Sequence, residues 1–341
     1  MRIGPFILRR LALSIFVLFG LSILIFFIAR IVPGDPARMA LGPRAPVEVV
    51  ERLREQMHLD KPILQQYGLW LWDVLHGDLG DSLLTRRPVR QDIGEFFPAT
   101  LELVGLSALF IVIVGISLGV ISARYADTWC DSVVRLLSYL GIVTPAFAWA
   151  VILMLVFGFT IHIFPTYGRL TQGFIPPATV TGMYTIDSLL SGRFDLFWDA
   201  LKHLILPAIA LALPPMSQAA RITRSSMADN QNKDYIASMI AYGVPDRIVY
   251  RKYLLKPSLI SPITVMAMDI AATFGQAFMV EQIFGFPGLA RYGIQVMLNK
   301  DVNAIVGVVM VLGIVFIVLN ITVDIIVAYL DPRIRLTGRN L

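Results

Sequence analysis

ATLELVGLSALFIVIVGISLGVISA, residues 99–123, decides the fold. Twenty-five residues of this kind are long and apolar enough to cross about 30 Å of hydrocarbon as a helix. Five more stretches read the same way, at 9–30, 136–164, 203–221, 258–282 and 303–330. The fold class expected is all-α integral membrane, with six transmembrane helices. Pro145 lies in the third span, and Pro207, Pro214 and Pro215 interrupt the fourth. Membrane helices tolerate such prolines when neighbouring groups satisfy the freed carbonyls. Gly115 and Gly119 form a GxxxG inside residues 99–123, a spacing that allows close helix packing.

Composition agrees. Of 341 residues 56% are hydrophobic and only 16% are charged, and the mean hydropathy is +0.70. Ordinary globular chains carry about 25% charged residues, so a soluble fold of this size would lack the polar surface to cover itself. The formal charge of +5 reads as a topology signal of cytoplasmic loops, not a nucleic-acid footprint. The single cysteine, Cys130, excludes an internal disulfide, and four scattered histidines show no metal-ligand spacing. The apolar run Leu11 to Ala29 follows Arg2, Arg9 and Arg10 but is longer than a signal h-region and lacks a small-x-small site. It reads as an uncleaved first span.

With a cytoplasmic N-terminus, the segments 1–10, 124–135, 221–256 and 331–341 hold 15 Lys or Arg in 69 residues. The segments 31–98, 161–202 and 283–302 hold 13 in 130. The twofold density difference places both termini inside. The long segment 31–98 carries two expected helices. One starts at Pro46 with Val49, Val50, Leu53 and Met57 on one face; the other follows Pro62 with Ile63, Tyr67, Trp70, Leu71 and Val74 at helical spacing. They form either an outer cap that meets a partner or interfacial helices that anchor the loop, with Trp70 and Trp72 suited to the interface.

Catalytic signatures are missing. No phosphate-binding G-x-x-x-x-G-K-[ST] loop occurs; the string Gly288 to Gly293 is followed by Ile294 where the phosphate lysine should stand. HExxH, GxSxG and paired CxxC motifs are also absent, so the chain reads as no enzyme. Asp269, near the middle of the fifth span, and Gln276, two turns on, are polar groups at membrane depth. A central aspartate costs about 2.5–3.5 kcal/mol on insertion scales. It either lines a solute path or is a buried carboxylate bonded to a neighbouring helix. Glu102, Glu281 and Asp324 sit near span ends, where capping or salt bridging accounts for them.

The inner loop 222–257 is long and carries charge of both signs. One short helix is expected from about Asn232 to Tyr242, and Gly243 offers the left-handed position that ends it. Pro245 and Asp246 begin a second helix carrying Arg247, Arg251 and Lys252. A folded helix–turn–helix projecting from a membrane suggests a docking element.

The blocks Arg221-Ile-Thr-Arg-Ser-Ser-Met-Ala-Asp229 and Asp234-Tyr-Ile-Ala-Ser-Met-Ile-Ala-Tyr-Gly243 resemble the EAA loop of ABC-importer membrane subunits. More closely, the sequence is similar to the B-type permease of the dipeptide/oligopeptide/nickel family. Arg9-Arg10 with Ile31-Val-Pro-Gly-Asp-Pro36, His76-Gly-Asp-Leu-Gly-Asp-Ser82, Val280-Glu-Gln-Ile-Phe-Gly-Phe-Pro-Gly-Leu289 and Tyr329-Leu-Asp-Pro-Arg-Ile-Arg335 follow in the family's order. Ser238-Met239 stand where the family usually has Thr-Ala, and Pro257 lies one position beyond the usual proline.

The resemblance implies a permease subunit in a bacterial or archaeal cytoplasmic (inner) membrane. Its implied partners are a second, homologous permease, two ATPase subunits that bind ATP and Mg, and an extracytoplasmic solute-binding protein. It implies no cofactor in this chain. The implied coupling residues are Asp234, Tyr235, Ser238, Met239, Ala241, Gly243, Pro245 and Arg247, and the path candidates are Asp269, Gln276, Pro214 and Pro215. The organisation expected is a first helix with an outer helical loop, 1–98, and a permease core, 99–335, with its loop at 221–257. The solute expected is a di- or oligopeptide, with nickel, an oligosaccharide or another solute as alternatives. An ion-coupled secondary carrier is the rival class, and the lack of inverted repeats and of an acid relay counts against it.

Overall fold

The computed structural model describes residues 3–31, 37–38, 42, 44–56 and 58–330. Met57, the stretch 32–36 and the C-terminal 331–335 lie outside the described residues, as does the side chain of Leu53. Among the described residues the chain is overwhelmingly helical, with an isolated bridge between Asp81 and Pro88. The helices, in order, are α1 (Ile3–Ile31), α2 (Val47–Gln56), α3 (Ile63–Leu75), α4 (Val89–Arg124), α5 (Trp129–Val143), α6 (Ala146–Thr160) and α7 (Tyr184–Leu190). They continue as α8 (Phe194–Gln231), α9 (Asp234–Ala241), α10 (246–258), α11 (Ile260–Ile283), α12 (Leu289–Leu298) and α13 (Val302–Leu330).

Helices α4, α8, α11 and α13 are each long and apolar enough to span a membrane, and α5 with α6 makes a fifth candidate. This third span differs from the single helix expected over 136–164. Its halves meet at a bend of 110°. Thr144 and Pro145 are both extended, at ψ 122° and 151°. A residue before proline is driven out of the α region by the proline ring, so the break falls at Thr144.

The fourth span differs the other way. Pro207, Pro214 and Pro215 all lie inside α8, which runs unbroken for 38 residues, about 57 Å at helical rise. It is the hub of the bundle, packed on α4, α5, α6, α7 and α11. Glycines let it approach closely. A Cβ on Gly119 would fall 2.5 Å from the Thr223 Cβ and 2.6 Å from the Ala220 carbonyl, and one on Gly115 2.8 Å from the Ala219 Cβ. The GxxxG of α4 is therefore the seam against α8.

The second span starts ten residues earlier than expected. Arg90, Asp92 and Glu95 give 89–98 the look of a loop, but Asp92 is fully buried and bonded. It accepts from the Thr85 and Tyr292 hydroxyls at 2.6 Å each and pairs with Arg87. The outer segment α3 lies along α1: Tyr67 and Trp70 sit 5.2 and 5.6 Å from the Phe26 ring, and the Tyr67 and Ser22 hydroxyls are 2.8 Å apart.

The end of the bundle that holds the starts of α4, α8 and α13 is closed by a polar lattice. Arg169, from the 161–183 segment, reaches the Glu102 carboxylate at 2.5 Å and lies 3.6 Å over the Tyr184 ring. Glu102 also accepts from the Thr185 N–H and hydroxyl at 2.6 and 2.7 Å. Burial works against the charge of Asp187, yet the N–H groups of Thr181, Val180 and Gly182 and the Thr181 hydroxyl outweigh it and hold its carboxyl below the ordinary range. Asp301 accepts from the Ser82 hydroxyl at 2.6 Å and the Leu84 N–H at 3.1 Å, tying the 76–88 turn to α13. Burial, then the bond to Asp92, pushes the Tyr292 phenol up and keeps it a donor. Asp324 meets Arg10 at 3.1 Å. Glu102 and Asp324 thus act through salt bridges.

Glu281 accepts from the Thr100 hydroxyl at 2.6 Å and from the Arg291 N–H at 2.7 Å, at the start of α12. A Cβ on Gly288 would collide with its Oε1. Gly288→Ala is therefore expected to destabilise the protein by about 1–3 kcal/mol through overpacking. Thermal unfolding in detergent checks it, and a wild-type melting temperature would contradict the close approach.

Candidate functional site

At the other end α8 runs on past the bundle, and α9 and α10 fold back on it. The reason lies in a small apolar core. Ile236 of α9 is buried with Met227 of α8 and with Val249 and Leu254 of α10; Val120, Ala123 and Met239 pack around them. One apolar face thus holds each short helix, and the remaining faces are left outward.

The turn between them is built by glycine. Gly243 has φ +72°. Its N–H donates to the Ile240 carbonyl at 3.0 Å, and the Val244 N–H donates to the Met239 carbonyl at 3.0 Å. These paired bonds satisfy the last carbonyls of α9, the left-handed C-cap pattern. The Ile248 N–H then donates to the Pro245 carbonyl at 2.8 Å, so α10 starts at Asp246. The helix expected over 232–242 is Asp234–Ala241.

The sequence-derived residues fall into two groups. Asp234, Ser238, Ala241, Pro245 and Arg247 are exposed on the loop, beside the exposed Ile240 and Tyr242. Asp234 sits in the first turn of α9, where a carboxylate favours the helix dipole. Met239 faces the small core. Tyr235 is bonded rather than free: its hydroxyl donates to the Tyr253 carbonyl at 3.3 Å and to the Asn230 Oδ1 at 3.4 Å, bracing α9 on its neighbours.

The second group is separate. Asp269 and Gln276 lie two turns apart on α11, and Pro214 and Pro215 lie on α8, against which α11 packs. Asp269 Oδ2 is buried with no hydrogen-bond partner among the described residues, whereas Gln276 is exposed. An unpaired carboxylate oxygen at this depth requires water or a partner group.

Two further features brace the loop that sequence reading missed. Asp131, fully buried at the start of α5, accepts two bonds from Arg224 of α8, each 2.7 Å, and one from Ser122 of α4 at 2.5 Å. Arg224 stands inside the quoted 221–229 block, and its helical neighbours gave the only signal. Asn230 donates to the Ser226 carbonyl at 2.8 Å and to Ser258 Oγ at 3.1 Å, tying α8 to α10. Burial raises the Tyr250 phenol above its ordinary value, with Arg124 acting against it. Its hydroxyl donates to the Val120 carbonyl at 3.3 Å.

A bundle of apolar spans with a braced helix pair at one end defines the class as a multi-pass membrane protein. The chain belongs to the family described as binding-protein-dependent transport system inner membrane component, which matches residues 115–336; the N-terminal part of such membrane components matches residues 3–104. It is a permease of the ABC-importer type. It is 37% identical over 324 residues to a probable D,D-dipeptide transport system permease protein of Escherichia coli, covering 95% of each chain. It is 36% identical over 328 residues to a dipeptide transport system permease protein of Alkalihalophilus pseudofirmus, covering 96% of this chain and 98% of that one. A di/tripeptide transport system permease protein of Pseudomonas aeruginosa is 36% identical over 340 residues, covering 97% and 98%.

Proposed function

We propose that this chain is one half of a peptide importer's membrane channel and that α9 and α10 are the element through which ATPase subunits drive it. The observation that carries the peptide reading is the end-to-end likeness to permeases named for dipeptides and tripeptides, 95–98% of each chain being covered. The solute is a di- or oligopeptide handed over by an extracytoplasmic binding protein. A second, homologous permease completes the path, and two ATPase subunits hold the ATP and Mg.

In this reading α1 is the first of six spans, both termini lie in the cytoplasm, and the membrane is the inner one. Residues 1–98 form the first span with its outer loop, and 99–335 the permease core. Asp234, Tyr235, Ser238, Met239, Ala241, Gly243, Pro245 and Arg247 shape the docking element. The exposed Ile240 and Tyr242 give it an apolar outer face of the kind that seats in a partner's groove. Asp269, Gln276, Pro214 and Pro215 line the solute path.

Uptake of labelled dipeptide by cells with and without the gene tests the substrate. Loss of dipeptide uptake on deletion is expected, with nickel and oligosaccharide uptake unchanged. Unchanged dipeptide uptake beside lost nickel or oligosaccharide uptake would move the chain to the other solute.

A further inference from the structure

Three arginines converge on one cleft beside the docking element. The cleft has a volume of about 610 Å³ and lies between the end of α4, the end of α8 and the first turns of α10. Its rim carries Arg124, Arg247 and Arg251, with Tyr250, Gln231 and a single carboxylate, Asp246. None of the three arginines has an ion-pair partner within 4 Å among the described residues. Arg169, Arg224 and Arg87, by contrast, each pair with a carboxylate. Positive charge is thus concentrated here, three arginines against one carboxylate.

The level of the cleft matters as much as its charge. Residues 103–121 of α4 contain no charged side chain, and Arg124 is the first charge to follow. It stands about 4.5 Å of helical rise beyond that apolar run, at the boundary where hydrocarbon gives way to headgroups. The Arg124 guanidinium is held there, 5.9 Å from the Tyr250 ring, which is itself fixed by its bond to the Val120 carbonyl. Arg247 and Arg251 are one turn apart on α10, so both project toward the same rim. Guanidinium groups match phosphate oxygens with paired N–H bonds. Basic recesses among helix ends at headgroup depth are where anionic lipids bind.

We infer that the Arg124–Arg247–Arg251 cleft is a binding site for the phosphate headgroup of an anionic phospholipid. Such a lipid would lie with its acyl chains along α4 and its phosphate among the three arginines. It would bridge a membrane span to α10, and so fix the docking element against the bilayer surface. The site shares Arg247 with the coupling residues but adds Arg124 and Arg251, and it stands whether or not the solute is a peptide.

The test reconstitutes the full chain, with whatever subunits co-purify, in phosphatidylcholine nanodiscs doped with phosphatidylglycerol. Lipid retained after extraction is counted by native mass spectrometry. Wild-type protein is expected to retain phosphatidylglycerol over phosphatidylcholine, and soluble glycerol phosphate is expected not to displace it. Each of Arg124→Gln, Arg247→Gln and Arg251→Gln should lower retention by about fivefold. Arg→Lys at the same positions keeps the charge and should keep most of it, which separates lost binding from lost folding. Lys300→Gln, at the other end of the bundle, serves as control and should change nothing. Equal retention by the triple glutamine variant would overturn the inference. So would displacement by glycerol phosphate, which assigns the cleft to a soluble phosphate. Loss of ATPase subunits from the triple variant with phosphatidylglycerol still retained would overturn it too, assigning the arginines to a protein partner.

Discussion

Arg169→Ala is expected to cost about 3–5 kcal/mol, a larger stability loss than Gly288→Ala. The side chains of Arg169 and Glu102 are only 7% and 5% exposed. Removing the guanidinium leaves a carboxylate buried with hydroxyl and N–H donors but no counter-charge. It also removes the donor to the Gly182 carbonyl and the cation over Tyr184. The damage should centre on the 161–193 cover, which would become open to protease before the spans unfold. Arg169→Met with Glu102→Gln should recover much of the loss, because the penalty lies in the stranded charge more than in the missing attraction. Thermal melts and limited proteolysis of the wild type, Arg169→Ala and the double variant give the answer. A single-variant loss below about 1 kcal/mol would mean that water already screens the pair.

Gly243→Val is the change expected to affect transport most. The space around Gly243 is open, so a side chain meets no neighbour. The obstacle is the backbone: at φ +72° a β-branched residue is strained by about 1–2 kcal/mol or more. Relief requires giving up the bonds from Gly243 to Ile240 and from Val244 to Met239, and α9 then leaves its seat over Met227. Membrane insertion should be normal, since no span is touched. ATPase association should weaken and solute uptake should be lost. Gly243→Asn, which tolerates the left-handed region better, should retain part of both. A pull-down of ATPase subunits beside an uptake assay checks each outcome. Wild-type levels of both in Gly243→Val would make the loop a connector.

The sequence carried the helices and the Gly243 turn because both rest on local rules. Apolar runs of some twenty residues have one stable form in a bilayer. Gly243 followed by Pro245 marks a helix end and a helix start whatever surrounds them. What it did not carry is what depends on distant neighbours. Pro145 breaks its span, whereas Pro207, Pro214 and Pro215 do not break α8, and local rules treat the four alike. Asp92 looks like a loop residue because its partners, Thr85 and Tyr292, are brought to it by other segments, one of them 200 positions away. Arg224 and Asp131 are 93 positions apart, and neither belongs to a motif with the other. Tyr235 reads as a docking side chain, yet its hydroxyl is bonded to Tyr253 and Asn230, so its substitution would loosen the turn as well as the outer face.

The central claim is that the α9 turn meets ATPase subunits on the cytoplasmic side. A cysteine in place of Ser238, an exposed position on α9, tests it most directly in a Cys130→Ser background. Inside-out vesicles of the intact transporter are treated with a short thiol cross-linker, and adducts are identified by mass spectrometry. The account predicts an adduct between this chain and an ATP-binding subunit, and no labelling of the same cysteine by an impermeant reagent added to whole cells. Labelling from outside the cell, with no ATPase adduct, would contradict both the topology and the coupling role.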